Sequence, residues 1–358
     1  MGDKKEMSCC CGPGIPLNEE ITYCKEASYI SGAAKTAAGD IPRVATELTR
    51  RDKLGTWMAR WGIRRMSYRV RPGLYAVGNP DGGSPVFVTA NYKMSFDRLR
   101  KELKGINGWI MVLDTKGINV WCAAGKGTFA TAEVVHRVSS VRLPEVVTHR
   151  KLILPQLAAP GVAAHEVLKQ TGFKVIFGPA RAEDLPAFLR GGLKATEEMR
   201  RVRFGFRDRL VLVPVDLVGT LRFALPIFGV LLIVELFLAK HSSFTLTNLV
   251  PFLGAIIAGS VLTPLLLPWI PGRAFAWKGW LMGLLWALAL GAWHGHFEPT
   301  SLLILPALSA FLAMNFTGSS AYTSLSGVLR EMRIAVPLII ISAGAGVIVF
   351  IVRFLLRS

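Results

Sequence analysis

Acidic residues almost vanish from the second part of this chain. Between Leu217 and Ser358 only Glu235, Glu298 and Glu331 are acidic, and apolar runs recur. Each run is about 20 residues long, the length needed to cross a bilayer. Five spans are expected, over 217–238, 249–269, 275–293, 302–316 and 334–356, the fourth being short. Arg200, Arg201, Arg203, Arg207 and Arg209 crowd the approach to the first span. Arg273 and Lys278 flank the second loop, and Arg330 and Arg333 precede the last span, so these are expected to be cytoplasmic ends. Loops 239–248 and 294–301 carry only Lys240 as a strong cation, and an odd number of spans then leaves the C-terminus outside. Arg353 and Arg357 stand against that orientation. Residues 1–20 are polar and lack an apolar core, so no signal peptide is evident. The expected location is multi-pass in the cell (inner) membrane, with the soluble part in the cytoplasm. The net charge of +18 is read as anchoring to anionic membrane lipid, not as nucleic-acid binding.

Before residue 216 the pattern is that of an α/β domain. A hairpin is expected over 67–77 around Pro72-Gly73, then a turn at 79–83. Strands over 85–90, 109–113, 151–154 and 174–177 alternate with helices over 95–103, 120–126, 131–139 and 162–170, which implies a parallel, Rossmann-like sheet. The continuous runs IMVL and VIF fit strands covered on both faces. The division is therefore an N-terminal arm, 1–55; an α/β domain, 56–200; a basic linker, 201–216; and an all-α transmembrane domain, 217–358. Cys9, Cys10, Cys11 and Cys24 lie in the arm, where three adjacent thiols lack the C-x-x-C spacing of zinc or iron–sulfur ligands. They read either as a plain thiol tail or as a capture site for a thiophilic metal.

In such a sheet ligands gather at the carboxyl ends of the strands. Thr89, Asn91, residues 114–119, Pro155, Gln156, Leu157, Gly178 and Pro179 all fall there. Cys122 follows in the run NVWCAAGKGT, with Asn119 placed as an N-cap and the thiol in the first helical turn. The positive end of a helix favours thiolate over thiol, and Lys126 lies one turn on. A Cys beside Trp and Ala is also commonly an ordinary buried residue, and both readings stand on spacing alone. Gly125-Lys126-Gly127 formally begins a G-x-G-x-x-A string, but it starts a dozen residues after its strand, where the dinucleotide fingerprint would occupy the turn itself. A phosphate loop fails because its first glycine would fall on Val120. His136, His149 and His165 show no ligand spacing.

The string NVWCAAGKGTF resembles the cap-helix signature of the mercury-methylating corrinoid proteins, relatives of the large subunit of the corrinoid iron–sulfur protein of acetyl-CoA synthesis. The stretches LPQLAAPGVAAHEV, from Leu154, and GFKVIFGPAR, from Gly172, are similar to the same corrinoid domain. The order of the motifs and the membrane tail agree with that family.

The resemblance implies an α/β Rossmann-like corrinoid-binding domain that holds cobalamin with its own base displaced. Asn119, Val120, Trp121, Cys122, Ala123, Ala124, Gly125, Lys126, Gly127 and Thr128 would form the cap under the corrin ring, Cys122 being the catalytic residue and the lower axial ligand of cobalt. Thr89, Asn91, Leu154, Pro155, Gln156, Leu157, Gly161, Val162, Gly178 and Pro179 would contact the rest of the cofactor, with Pro155, Gln156, Leu157 and Gly161 at its nucleotide tail. Small Ala123, Ala124 and Gly125 would let the helix approach the ring. A donating axial thiolate favours departure of methyl with its bonding electrons, the form that Hg(II) takes up, and the cobalt must then be reduced. The implied activity is transfer of methyl to inorganic Hg(II), giving methylmercury. The implied partners are a ferredoxin-like protein with two [4Fe–4S] clusters and a methyl donor, either a protein or methyltetrahydrofolate. Two other readings are a membrane-anchored corrinoid methyl carrier of one-carbon metabolism, in which Cys122 is not required, and a membrane transporter of mercury or copper.

Overall fold

A computed structural model describes residues 28–238, 249–319 and 325–357. Cys9, Cys10, Cys11, Cys24 and Lys240 lie outside the described residues. The chain divides into two units, one of the residues up to Thr56 with Met66–Arg201, the other of Trp57–Arg65 with the residues from Val202 onward.

In the first unit β1 (Ile30–Thr36), β2 (Gly39–Val44), the part of α1 (Arg50–Arg60) up to Thr56, β3 (Gly73–Val77), β4 (Val86–Ala90), α2 (Lys93–Glu102) and β5 (Gly108–Leu113) come first. Then follow α3 (Val120–Gly125), α4 (Thr131–Ser140), α5 (Leu143–Val146), β6 (Lys151–Leu154), α6 (Ala164–Thr171), β7 (Lys174–Phe177), α7 (Leu185–Arg190) and α8 (Glu197–Arg200). The sheet has seven strands in the order β1-β2-β3-β5-β4-β6-β7. Every residue of β4 and β5 is buried, as the unbroken apolar run requires. Trp109, Met111 and Leu113 enter one core with Val134, Val138 and Val167, while Ile110 and Val112 enter the other with Phe96, Leu103 and Phe188. This period of two places α3, α4 and α6 over one face and α2 and α7 over the other.

Two expectations need correction. The sheet is mixed: β5, β4, β6 and β7 run parallel, but β3 is antiparallel to β5, and β1 to β2. No hairpin forms over 67–77. Val70 N donates to Asn91 O (2.8 Å) and Lys93 N to Tyr68 O (3.0 Å), so this segment pairs with the chain leaving β4 and only Gly73–Val77 becomes a strand. The region assigned to the arm also contributes β1, β2 and the start of α1. Its strands, ISGAAKT and GDIPRV, bury few side chains, Ala34, Ile41 and Val44 among them, and so lack a legible alternation.

A buried ionic cluster joins α1 to α2. Asp52 and Asp97 each receive both Lys93 and Arg100, at 2.6–2.9 Å, and all four side chains are almost wholly inaccessible.

The second unit contains α9 (Phe206–Leu238), α10 (Val250–Ile257), a π-turn (Ala258–Leu262), α11 (Thr263–Leu266), α12 (Phe275–His294), α13 (Pro299–Asn315) and α14 (Leu325–Arg357). Helices thus occupy the five expected positions, and two stretches, Phe275–His294 and Gly327–Arg353, are long and apolar enough to cross a membrane. Val250–Leu266 and Pro299–Asn315 are shorter apolar helices. Gly279 and Gly283 of α12 lie against α13 so closely that a Cβ would come within 2.4 Å of Ala313 Cβ and 2.6 Å of Ser309 Cβ. Small residues four apart are how apolar helices pack without a hydrophobic gradient.

Candidate functional site

The carboxyl ends of β4, β5, β6 and β7 share one edge, since Ala90 registers with Leu113 and Leu154 with Phe177. Asn91, the first residue beyond β4, organises that edge. Its Oδ1 accepts hydrogen bonds from Thr115 N (3.2 Å), Thr115 Oγ1 (2.9 Å) and Gly117 N (2.9 Å), and its Nδ2 donates to Asp114 Oδ1 (3.1 Å). The single Thr115 hydroxyl proton is shared with Ile118 O, which lies 2.7 Å from Oγ1. Lys116 and Gly117 both take left-handed backbone conformations, which lets the loop turn sharply into α3.

Asp114 is the ionic anchor of this loop. Partial burial would raise its pKa, but hydrogen bonds from Lys116 Nζ and N, with the charges of Lys116 and Arg137, hold its carboxyl below the usual range. Glu133 accepts from Asp114 N (2.8 Å) and pairs with Arg137 (2.7 Å), tying the loop to α4.

Helix α3 has only six residues, a length at which an isolated helix does not persist in water. Both ends are closed. Asn119 Oδ1 accepts from Cys122 N (2.9 Å), the N-cap expected from sequence. At the other end Gly127 N donates to Ala124 O (3.4 Å) and Thr128 N to Ala123 O (2.9 Å), with Gly127 left-handed. This is the paired-bond termination that glycine permits. It explains the GKG string without any phosphate.

The helix then presents two faces. Val120, Ala123 and Ala124 are buried in the core, so the small size of the alanines serves protein packing and not the approach of a ligand. A Cβ at Gly161 would fall 2.3 Å from Phe129 O and 3.0 Å from Ala124 Cα, so the loop after β6 presses directly on α3. Cys122 and Trp121 are half-buried, and Gly125, Lys126 and Gly127 are exposed. A Cβ added at Gly125 or Gly127 would meet nothing within 4 Å, leaving open space above backbone next to the thiol.

The remaining expected residues separate in the same way. Gly178 N donates to Leu154 O (2.8 Å) and Gln156 N to Pro179 O (3.3 Å), so Leu154, Pro155, Gln156, Leu157, Gly178 and Pro179 form one shelf. Leu154, Thr89 and Val162 are interior, and Asn91 spends its amide on the 114–117 loop. All four are buried within the protein. Gln156 Oε1 is buried and has no hydrogen-bond partner in the protein, the state of an acceptor kept for a bound donor. A flat, amide-fringed ring fits this arrangement: open glycine backbone, one soft donor atom and one orphaned acceptor.

Asp114, Thr115 and Gly117 were reached by the sequence only as part of a loop, and Glu133 and Phe129 not at all. Their signal was the string Asp-Thr-Lys-Gly directly after a buried strand. Among the described residues no three His, Cys, Asp or Glu side chains come together as a metal site, and Cys122 is the one free cysteine.

Residues 62–189 match the family described as the CO dehydrogenase/acetyl-CoA synthase delta subunit. The chain is similar to the acetyl-CoA decarbonylase/synthase complex subunit gamma of Archaeoglobus fulgidus, 36% identical over 117 residues, 32% of this chain and 24% of that protein. The corresponding subunit of Methanopyrus kandleri is 34% identical over 137 residues, 37% of this chain and 29% of that protein. The corrinoid/iron–sulfur protein large subunit of Moorella thermoacetica is 29% identical over 127 residues, 35% and 28% of the two chains. The chain thus spans about a quarter of the length of the curated relatives it matches. These similarities support a relationship to corrinoid iron–sulfur proteins.

Proposed function

We propose that this chain is a corrinoid-dependent methyl-transfer protein whose α/β domain holds the cofactor at the strand-end site and whose helical part anchors it to a membrane. The single observation that carries this reading is the doubly capped α3, which sets the half-buried Cys122 beside the open backbone of Gly125. Bound there, the corrinoid would supply a cobalt atom able to carry a methyl group and give it up.

Cys122 is proposed as a ligand to that metal, because a helix closed at both ends fixes the backbone that carries the sulfur. Gly125 and Gly127 leave room for a flat ring, and Gln156 offers its orphaned carbonyl to an amide of the ligand. Lys126 is exposed and free to reach the ligand's periphery. Ala123, Ala124 and Gly161 fix the distance between α3 and the sheet edge. Asn91 holds the approach loop.

The relatives' names favour a methyl carrier of one-carbon metabolism, membrane-anchored in this chain. Cys122 favours a second reading of the acceptor. A donating thiolate promotes transfer of methyl with its electron pair, which suits inorganic Hg(II) and gives methylmercury. That reaction needs an external reductant, for which a ferredoxin-like protein with two [4Fe–4S] clusters is proposed. The methyl donor would be a protein or methyltetrahydrofolate. The proposed location is the cell (inner) membrane, with five spans and the α/β domain in the cytoplasm.

The deciding experiment loads the full chain with cobalamin, records its absorption spectrum, and measures methyl transfer to Hg(II) and to a thiol. The wild type and Cys122→Ala are compared. Corrinoid retention with methylmercury formation only in the wild type supports the mercury reading. Retention with thiol methylation in both proteins supports the carrier. Failure to retain corrinoid overturns both.

A further inference from the structure

We propose that the helical unit binds an anionic phospholipid in the cavity between α12, α13 and α14, with the phosphate held by Arg273 and Arg330. The inference rests on the membrane reading of these helices and not on the corrinoid reading.

The cavity measures about 800 Å³, within the size range of sites that take small ligands. Its walls are apolar, with Trp277 and Trp280 from α12, Ala307 and Ala310 from α13, and Ile334 and Leu338 from α14. The two tryptophan rings stack 5.3 Å apart and nearly parallel, making a flat side. Tryptophan at this level of an apolar helix is typical of the membrane–water interface.

The polar groups of the lining settle the charge of the guest. Ser342 Oγ donates to Leu303 O (2.9 Å), and Glu331 Oε1 accepts from Ala276 N (2.7 Å), so both serve the helices themselves. Arg273 and Arg330 are exposed, and neither makes a hydrogen bond or ion pair with another described residue. A greasy cavity with two uncommitted guanidinium groups at its rim suits an amphiphile with an acidic head, since guanidinium binds phosphate through paired N–H donors. A free phosphate would leave the apolar walls unused. A choline headgroup would bring a third cation to a site whose one carboxylate is already bonded.

The test uses the full chain in neutral detergent and native mass spectrometry with added phosphatidylglycerol or phosphatidylcholine. Glycerol 1-phosphate serves as the headgroup-only competitor. The wild type is expected to retain phosphatidylglycerol preferentially, and Arg273→Gln/Arg330→Gln to lose affinity by about tenfold or more. Arg273→Lys/Arg330→Lys is expected to keep most of the binding. Ala335→Phe, which narrows the apolar wall without touching a charge, is expected to weaken it and keeps the test decisive should the glutamine variant misfold. Equal retention of the two lipids, undiminished binding by the glutamine variant, or competition by glycerol 1-phosphate at the same concentration as the lipid would each overturn the proposal. Partition of the chain into detergent-free buffer would instead overturn the membrane reading beneath it.

Discussion

Asn91 and Gly117 are joined by a 2.9 Å hydrogen bond across 26 residues of sequence, and through it the end of one strand fixes the loop that launches α3 from its neighbour. The same oxygen takes two further bonds from Thr115. Replacing Asn91 by Ala would leave the buried N–H groups of Thr115 and Gly117 without that acceptor, at about 1–3 kcal/mol for each group left unsatisfied, while the Thr115 hydroxyl keeps Ile118 O. Asn91→Ala is expected to lower stability by about 2–4 kcal/mol in denaturant unfolding. Amide exchange should accelerate at 115–122 first, and exchange that rises evenly over the whole sheet would refute the local role.

Gly161 and Gly125 make opposite predictions for the same change. Gly161→Ala drives a Cβ into Phe129 O and the Ala124 backbone, and overpacking of that kind costs about 1–3 kcal/mol. Gly125→Ala meets open space inside a helix, where Ala is favoured over Gly by about 0.5–1 kcal/mol. Thermal melts should therefore move in opposite directions. Cobalamin retention should fall in both variants, and a Gly125→Ala protein that binds it undiminished would remove the ring from that face.

Asp52 makes the fold acid-sensitive. Burial would raise its pKa, but Lys93 and the Thr49 backbone and hydroxyl outweigh it and hold the carboxyl well below the usual range. A depressed native pKa gives stability that is present above the unfolded value, near 3.8, and lost as pH falls toward the native one. Asp52→Asn is expected to cost about 3–5 kcal/mol at neutral pH, because Lys93 and Arg100 are left partly unpaired in the interior. The variant should also flatten the loss of stability below about pH 4. A variant as stable as the wild type at pH 7 would show the cluster to be dispensable.

Tyr68 acts at the other end of the pH scale. Burial, with the charges of Asp97 and Asp52, pushes its hydroxyl up to about 12, against the hydrogen bond from Thr56. A raised native pKa gives stability that is complete below the unfolded value of 10 and lost as pH rises toward 12. Between those limits the wild type should lose more stability than Tyr68→Phe. Parallel pH curves would place the phenol in water.

The parts of the fold that were legible share one property: their signal is local. The unbroken run 109–113 announces a strand covered on both faces, and Asn119 announces the start of α3 because a cap acts over three residues. The hairpin of β1 and β2 was illegible because Gly, Ala and Pro supply its middle, and only Arg43 and Val44 of β2 pair with β3. Asn91 could be placed at the strand ends but not given its job, which depends on the alignment of β4 with β5. Ala123 and Ala124 illustrate the converse error. Their small size was visible in the sequence, but which face of the helix the core would claim was not.

The caps on α3 have a kinetic consequence. Residues 119–128 supply the hydrogen bonds at both ends of their own helix, so this tile of the surface is finished before any ligand arrives. On the proposed function, capture would require no coupled ordering of the chain at this point, and the encounter rate would be set by diffusion and access to the Cys122 face. Departure would then be the step left for the protein to tune, and a resident that left slowly would be reused through many turnovers.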